Sequence, residues 1–167
     1  MNAVQDDRLD LVAKWVGAAL GTDRFTLAPA SADASFRRYF RITPEAPWRG
    51  RTTLIAMDAP PPMENCRPYI HVAQLLADAG VHAPEVLASD LERGFLLLTD
   101  LGSRTYLTAL DASSAPALYS DAIDALIRWQ CATRDAELRR YDDTLLVREL
   151  ALFPDWYVAR HRGRKLS

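Results

Sequence analysis

The chain is short of cysteine, lysine and glycine and has no long apolar run, and each shortage closes off a class of protein. Cys66 and Cys131 are its two cysteines, far apart in sequence. They make neither a disulfide framework nor a metal cluster, and both read as reduced thiols packed in a cytosolic protein. No stretch approaches the ~20 apolar residues that a membrane-spanning helix needs. The N-terminus carries Asp6, Asp7 and Asp10 where a signal peptide would carry an apolar segment. The formal net charge of −2 withholds the basic surface that a nucleic acid requires. His71, His82 and His161 stand apart with no acidic or cysteine partner at ligand spacing, so each reads as a surface or helix-face residue and no metal site is expected. Lysine occurs only at Lys14 and Lys165. An anion site in the interior of the chain must therefore use arginine, backbone N–H groups or a metal, although abundant Arg and Ala also mark a GC-rich genome. The expectation is a soluble, cytoplasmic protein that engages neither membrane nor nucleic acid.

What is present suits one ordinary domain with a core: 167 residues, 49% hydrophobic and 25% charged. Leu9, Val12, Ala13, Val16 and Leu20 recur at helical spacing before Gly21, which predicts a helix over 7–20. Segments 25–30, 36–43 and 52–58 read as strands, and Pro60–Pro62 closes the third. A second helix carries Tyr69, Val72, Ala73, Leu76 and Ala79 on one face and stops at Gly80. Strands over 84–89 and 95–98 flank a turn, Asp90–Gly94, and no strand signal follows Thr99-Asp100-Leu101-Gly102. A long helix is expected over 115–133, and another, capped by Asp142 or Asp143, through Phe153, with a fresh turn at Pro154. Strands first and helices afterwards make an α+β protein: an antiparallel sheet of about five strands covered by helices, followed by the start of a helical unit. The expected boundary divides residues 1–102 from 103–167.

Chemistry concentrates in Ser31-Ala32-Asp33-Ala34-Ser35-Phe36-Arg37-Arg38-Tyr39-Phe40-Arg41. A turn of small residues offering backbone N–H groups beside arginines can cradle a phosphate; the same pattern also makes an ordinary hairpin. Side chains alternate along a strand, so Arg37, Tyr39 and Arg41 share one face while Phe36, Arg38, Phe40 and Ile42 share the other. Arg38 among apolar neighbours must meet an anion, either an acidic side chain or a phosphate.

The element order, together with residues 34–41, Met57-Asp58-Ala59-Pro60-Pro61, Leu97–Gly102 and Glu149-Leu150-Ala151-Leu152-Phe153-Pro154-Asp155-Trp156-Tyr157, resembles the aminoglycoside-phosphotransferase-related sugar kinases. The likeness is strongest to the bacterial anomeric N-acetylmuramate/N-acetylglucosamine kinases of peptidoglycan recycling, and it runs from about Leu9 to Ser167. The resemblance implies the N-terminal lobe of a protein-kinase-like fold followed by the first helices of an incomplete C-terminal lobe. It implies ATP and Mg²⁺ as cofactors and an N-acetyl amino sugar as acceptor. By the same resemblance Ala32, Asp33, Ala34 and Ser35 form the turn over the ATP phosphates, with Arg38 beside them, although that turn contains no glycine. Thr99, Asp100, Leu101 and Gly102 form the hinge that receives adenine. Glu149, Phe153 and Trp156, at i, i+4, i+7, line the sugar pocket, although an amphipathic stripe of that kind also serves plain packing.

Two departures stand out. Protein kinases place a lysine on the third strand, paired with a glutamate of the next helix. Residues 52–58 contain no lysine, so Glu64 loses that partner and reads first as a helix N-terminal residue. Kinase chemistry also needs an Asp to orient the acceptor hydroxyl, and an Asn and a second Asp to hold Mg²⁺. Here asparagine occurs only at Asn2 and Asn65, and no Asp-Phe pair exists, so no catalytic or metal residue is assigned. The expectation is a truncated sugar kinase that does not turn over, with apolar helix faces at Trp129, Phe153 and Trp156 left to self-associate or to meet a missing lobe. The alternative is a stand-alone nucleotide-binding or interaction module, or half of a split kinase.

Overall fold

The computed structural model describes residues 6–32, 35–132, 134, 137, 138 and 140–165. The chain divides into two compact units, residues 1–132 and 133–167. The expected boundary at Gly102 thus marks the end of the sheet, while the compact units part some thirty residues later.

Helix α1, Asp7–Leu20, begins where the Asp6 carboxylate accepts the Leu9 N–H and ends at Gly21, whose φ of 72° closes the last turn. Five strands follow: β1 (Phe25–Ala32), β2 (Arg38–Pro44), β3 (Leu54–Asp58), β4 (Val86–Asp90) and β5 (Phe95–Thr99). They form one antiparallel sheet in the order β1-β2-β3-β5-β4. Helix α2, Cys66–Asp78, is inserted between β3 and β4 and capped by Asn65, which accepts the Arg67 N–H. Irregularities between Pro29 and Ser31 and between Val86 and Ala88 fall in the two edge strands, where an interrupted ladder costs least.

Both faces of the sheet are covered. Val12, Val16 and Leu20 of α1 pack on Phe40, Ile42, Leu54, Ala56, Phe95 and Leu97. The opposite face buries Met57, Ala59, Cys66, Leu96 and Leu98, with Tyr39, Ile55, Tyr69 and Ile70 against them. Phe95–Leu98 is buried without a break, as a strand with layers on both sides must be. The β4–β5 turn is pressed onto the exit of β3. Ala59 donates to the Gly94 carbonyl at 2.8 Å, and at φ 76° a Cβ on residue 94 would overlap the Ala59 carbonyl oxygen.

Several expectations shift. Strand β2 starts at Arg38 and β3 at Leu54, each two residues later than the alternation suggested. A short helix α3, Tyr106–Ala109, escaped notice because Thr105 caps it over a single turn, too brief to show a period. Helix α4 spans Ala115–Ala132, and α5, Asp143–Leu152, is capped by Asp142; Thr133 lies outside the described residues. Pro154 does not start a fresh turn. It sits in the first turn of a π-helical segment, Phe153–His161, that continues directly from α5, where its missing N–H would have had no intrahelical partner anyway. Cys66 is buried, whereas Cys131 is exposed rather than packed. Neither α4 nor α5 buries a residue fully. Among the described residues no helix is long and apolar enough to cross a membrane.

Candidate functional site

The pairings of the sheet decide what the three arginines do. Arg38 points to the α1 side, as the alternation required, and there it meets carboxylates. Its Nε and Nη2 donate to Asp58 Oδ2 at 3.0 and 2.6 Å, and its other terminal nitrogen pairs with Asp6. Asp58 is fully buried and also accepts Arg8 Nε at 2.7 Å, so two guanidiniums surround one carboxylate. Arg8 in turn donates to the Arg93 carbonyl at 2.6 Å and lies over the Phe95 ring. The Arg38 guanidinium beside Asp6 holds that carboxyl below its usual range. This cluster joins α1, β2, β3 and the β4–β5 turn.

On the other face Arg41 reaches the segment after β5. Its Nε and Nη2 donate to the two Asp100 oxygens at 2.6 and 3.1 Å, and Nη2 also donates to the Gly102 carbonyl at 3.1 Å. Asp100 accepts the Gly102 N–H at 2.8 Å, and Gly102 turns there with φ 90°. A bidentate arginine–carboxylate pair fixes orientation as well as charge. The neighbouring guanidinium lowers the Asp100 carboxyl below the usual carboxylate value. Thr99–Gly102 is therefore held on β2 as a shaped edge. Among the described residues the Leu101 peptide makes no hydrogen bond, so its N–H and C=O remain open to a ligand.

Beside that edge lies a cavity of about 210 Å³ whose walls include Ile55, Leu98, Tyr39, Tyr69 and Pro84. Ala30 and Ser31 of β1 roof it, and Thr99–Gly102 close one side. Burial pushes the Tyr69 phenol above its ordinary value, and Arg41 and Asp100, which also line the cavity, are paired with each other. A flat heteroaromatic base fits this donor set, with apolar walls for its faces and an exposed peptide for its edge. The four hinge residues singled out from the sequence all line the cavity. Ile55, Tyr39, Tyr69 and Leu98 were not singled out, yet the period-two alternation that placed Tyr39 beside Arg41 could have found the first two.

A third arginine completes this face. Glu64 Oε2 accepts Arg37 Nε at 3.1 Å, and Glu64 Oε1 accepts the Phe36 N–H at 3.2 Å. Glu64 is thus not a plain helix N-terminal residue. Asn65 takes the capping role, and Glu64 finds a cation on β2's leading edge in place of the absent strand lysine. Of the turn residues proposed to face a phosphate, Asp33 and Ala34 lie outside the described residues, Ala32 ends β1, and the Ser35 hydroxyl accepts the Arg37 N–H at 3.2 Å. Ser31, Ser35, Arg37, Arg38 and Tyr39 line a second cavity of about 390 Å³.

The residues expected at the sugar belong to the other compact unit. Glu149 pairs with Arg148 at 3.1 Å. Phe153 stacks on Tyr157 at 5.2 Å and Tyr157 on His161 at 5.5 Å. Trp156 lies under the Arg160 guanidinium at 4.1 Å. Phe153 and Trp156 are exposed. Phe153 and Trp156 thus take different partners, Tyr157 and Arg160, within the π-helical segment. For Mg²⁺, no group of three or more His, Cys, Asp or Glu is gathered among the described residues, so they give no ligand set for the ion.

A sheet with an inserted helix, a clamped edge and a base-sized cavity agrees with the family comparison. The model of the phosphotransferase enzyme family matches residues 26–167, and the chain belongs to that family. Individual relatives are more specific. The chain is 56% identical over 142 residues to an N-acetylmuramate/N-acetylglucosamine kinase of Pseudomonas aeruginosa, a match covering 84% of this chain and 40% of that protein. It is 55% identical over 139 residues to the kinase of the same name from Pseudomonas putida, covering 83% and 39%. The Neisseria meningitidis protein of that name is 40% identical over 157 residues, covering 92% and 45%. The chain thus spans less than half the length of the curated relatives it matches.

Proposed function

We propose that this chain is the nucleotide-binding, N-terminal part of an ATP-dependent kinase acting on the anomeric hydroxyl of N-acetylmuramate or N-acetylglucosamine, in peptidoglycan recycling. The observation that carries the reading is the cavity walled by Ile55, Leu98 and Tyr69 and edged by the Arg41–Asp100 clamp, in a chain more than half identical to proteins of that name. In this reading adenine lies over the paired Ile55 and Leu98 with its edge on Leu101, and its phosphates run toward Ser35 and Arg37. Glu149, Phe153 and Trp156 receive the sugar, the aromatic rings against its apolar face and the carboxylate toward a hydroxyl. Mg²⁺ neutralises the transferred phosphoryl in such reactions. This chain by itself is expected to bind nucleotide and not to turn over, because positioning and charge stabilisation supply most of the rate of phosphoryl transfer.

The test replaces the matched segment of the Pseudomonas aeruginosa relative with this chain's and measures transfer from labelled ATP to both sugars. The expected result is phosphorylation of N-acetylmuramate or N-acetylglucosamine by the chimera, and none by the chain alone. A folded chimera that binds ATP but phosphorylates neither sugar would overturn the acceptor assignment. Turnover by the chain alone would overturn the division of labour.

A further inference from the structure

Resting on that nucleotide-site reading, we propose that Arg37, gripped by Glu64, is the cation that holds the nucleotide phosphates, in place of Arg38 and of any residue on β3. Strand β3 cannot supply one. Ile55 lines the base cavity, and two residues on, Met57 shares its face but is fully buried among Ala59, Cys66, Leu96 and Leu98. The side chain beyond the base on this strand is therefore a thioether in an apolar cluster.

The arginines of β2 and its approach divide by face and by partner. Arg41 is spent on both Asp100 oxygens and the Gly102 carbonyl. Arg38 lies on the α1 side and is held by Asp58 and Asp6; although it edges the second cavity, two carboxylates already neutralise it. Arg37 falls on the face of Tyr39 and Arg41. At ~3.3 Å per strand residue it sits roughly 13 Å from Arg41, the reach of an extended nucleoside polyphosphate. The two cavities that this path would join share Ser31 and Tyr39.

Glu64 suits the guanidinium to this task. One oxygen takes Nε and the other ties down the Phe36 N–H, so the arginine and the backbone just before it are set by one carboxylate. Glu64 and the Tyr39 side chain each take a hydrogen bond from the guanidinium, which leaves further N–H donors of the five in its fork, and a planar fork matches a phosphate edge. The Arg37 side chain is 30% exposed and that of Glu64 12%, so the cation is reachable while its anchor is sheltered.

The experiment measures equilibrium binding of adenosine, ADP and ATP, without metal, to the 167-residue chain and to its variants, with circular dichroism to confirm folding. ATP is expected to bind more tightly than adenosine. Arg37→Met should weaken ATP and ADP by about 10- to 100-fold, the loss of charge-assisted hydrogen bonds, and leave adenosine unchanged. Arg37→Lys, which keeps the charge but not the fork, should recover part of the loss. An Arg37→Met variant that keeps the wild-type ratio of ATP to adenosine affinity would overturn the assignment. Equal affinity for adenosine and ATP in the wild-type chain would overturn it too, while sparing the base site. Failure to bind any of the three would overturn the nucleotide reading and this inference together.

Discussion

Two arginines adjacent in sequence, Arg37 and Arg38, show how differently the two faces of one sheet use the same chemistry. On the α1 face, Arg38 and Arg8, each about a third exposed, close around one fully buried carboxylate, Asp58. On the α2 face, Arg37 and Arg41 each meet a carboxylate from a different segment, Glu64 before α2 and Asp100 after β5, and both border cavities. A carboxylate sealed in the core and shared by two arginines gives cohesion between elements. One at a cavity rim leaves donors where a ligand can arrive. The period-two geometry of a strand assigns the roles, since neighbours must face opposite ways.

The sharpest way to break the contrast is Asp58→Asn. It leaves two guanidiniums without their buried anion and should cost about 3–5 kcal/mol, read as a lowered urea midpoint. Acid offers a second handle on both faces. Asp100 and Asp6 are held below the ordinary carboxylate value of 3.8 by their arginines, so their contribution is present above that value and is lost as pH falls below it toward the lowered values. Unfolding followed from pH 7 downward should steepen below about pH 4, and Asp100→Asn and Asp6→Asn should each flatten that limb. The smallest effect belongs to Arg37→Met, expected to change stability by ~0–1 kcal/mol, as a partly exposed ion pair does. A loss as large as that of Asp58→Asn would erase the distinction between the faces.

Most of the scaffold is legible in the sequence because it rests on strong periodic signals. Residues 7–20 carry a clean apolar stripe between Asp6 and Gly21, and helix α1 has those bounds. The five strands and their segregation from the helices follow from alternation, the Pro60–Pro62 run and the apolar block 95–98. The split of Arg37, Tyr39 and Arg41 from Arg38 also follows from alternation. Partners are another matter. Nothing local links Arg8 to Asp58, Arg41 to Asp100 or Glu64 to Arg37, because each pair is separated by a long stretch of chain and is brought together by sheet order and helix packing. The π-helical geometry after Leu152 was invisible for a different reason: Pro154 signals a helix start and a helix break equally well.

The packed β4–β5 turn sets where the chain will accept extra residues. Its position on the surface makes 91–94 look like a site for an inserted tag or peptide, yet Gly94 lies against the Ala59 carbonyl with no room for a Cβ and donates its N–H to the Asp90 carbonyl at 2.8 Å. The Trp48–Arg51 turn is the opposite case. Its two ends are tied by paired backbone bonds at 2.9 Å, and a Cβ at Gly50 would meet nothing within 4 Å. A graft at 49–50 is therefore expected to leave the sheet undisturbed, whereas one at 92–93 interrupts the Asp90–Gly94 turn that bonds to Ala59 at the exit of β3.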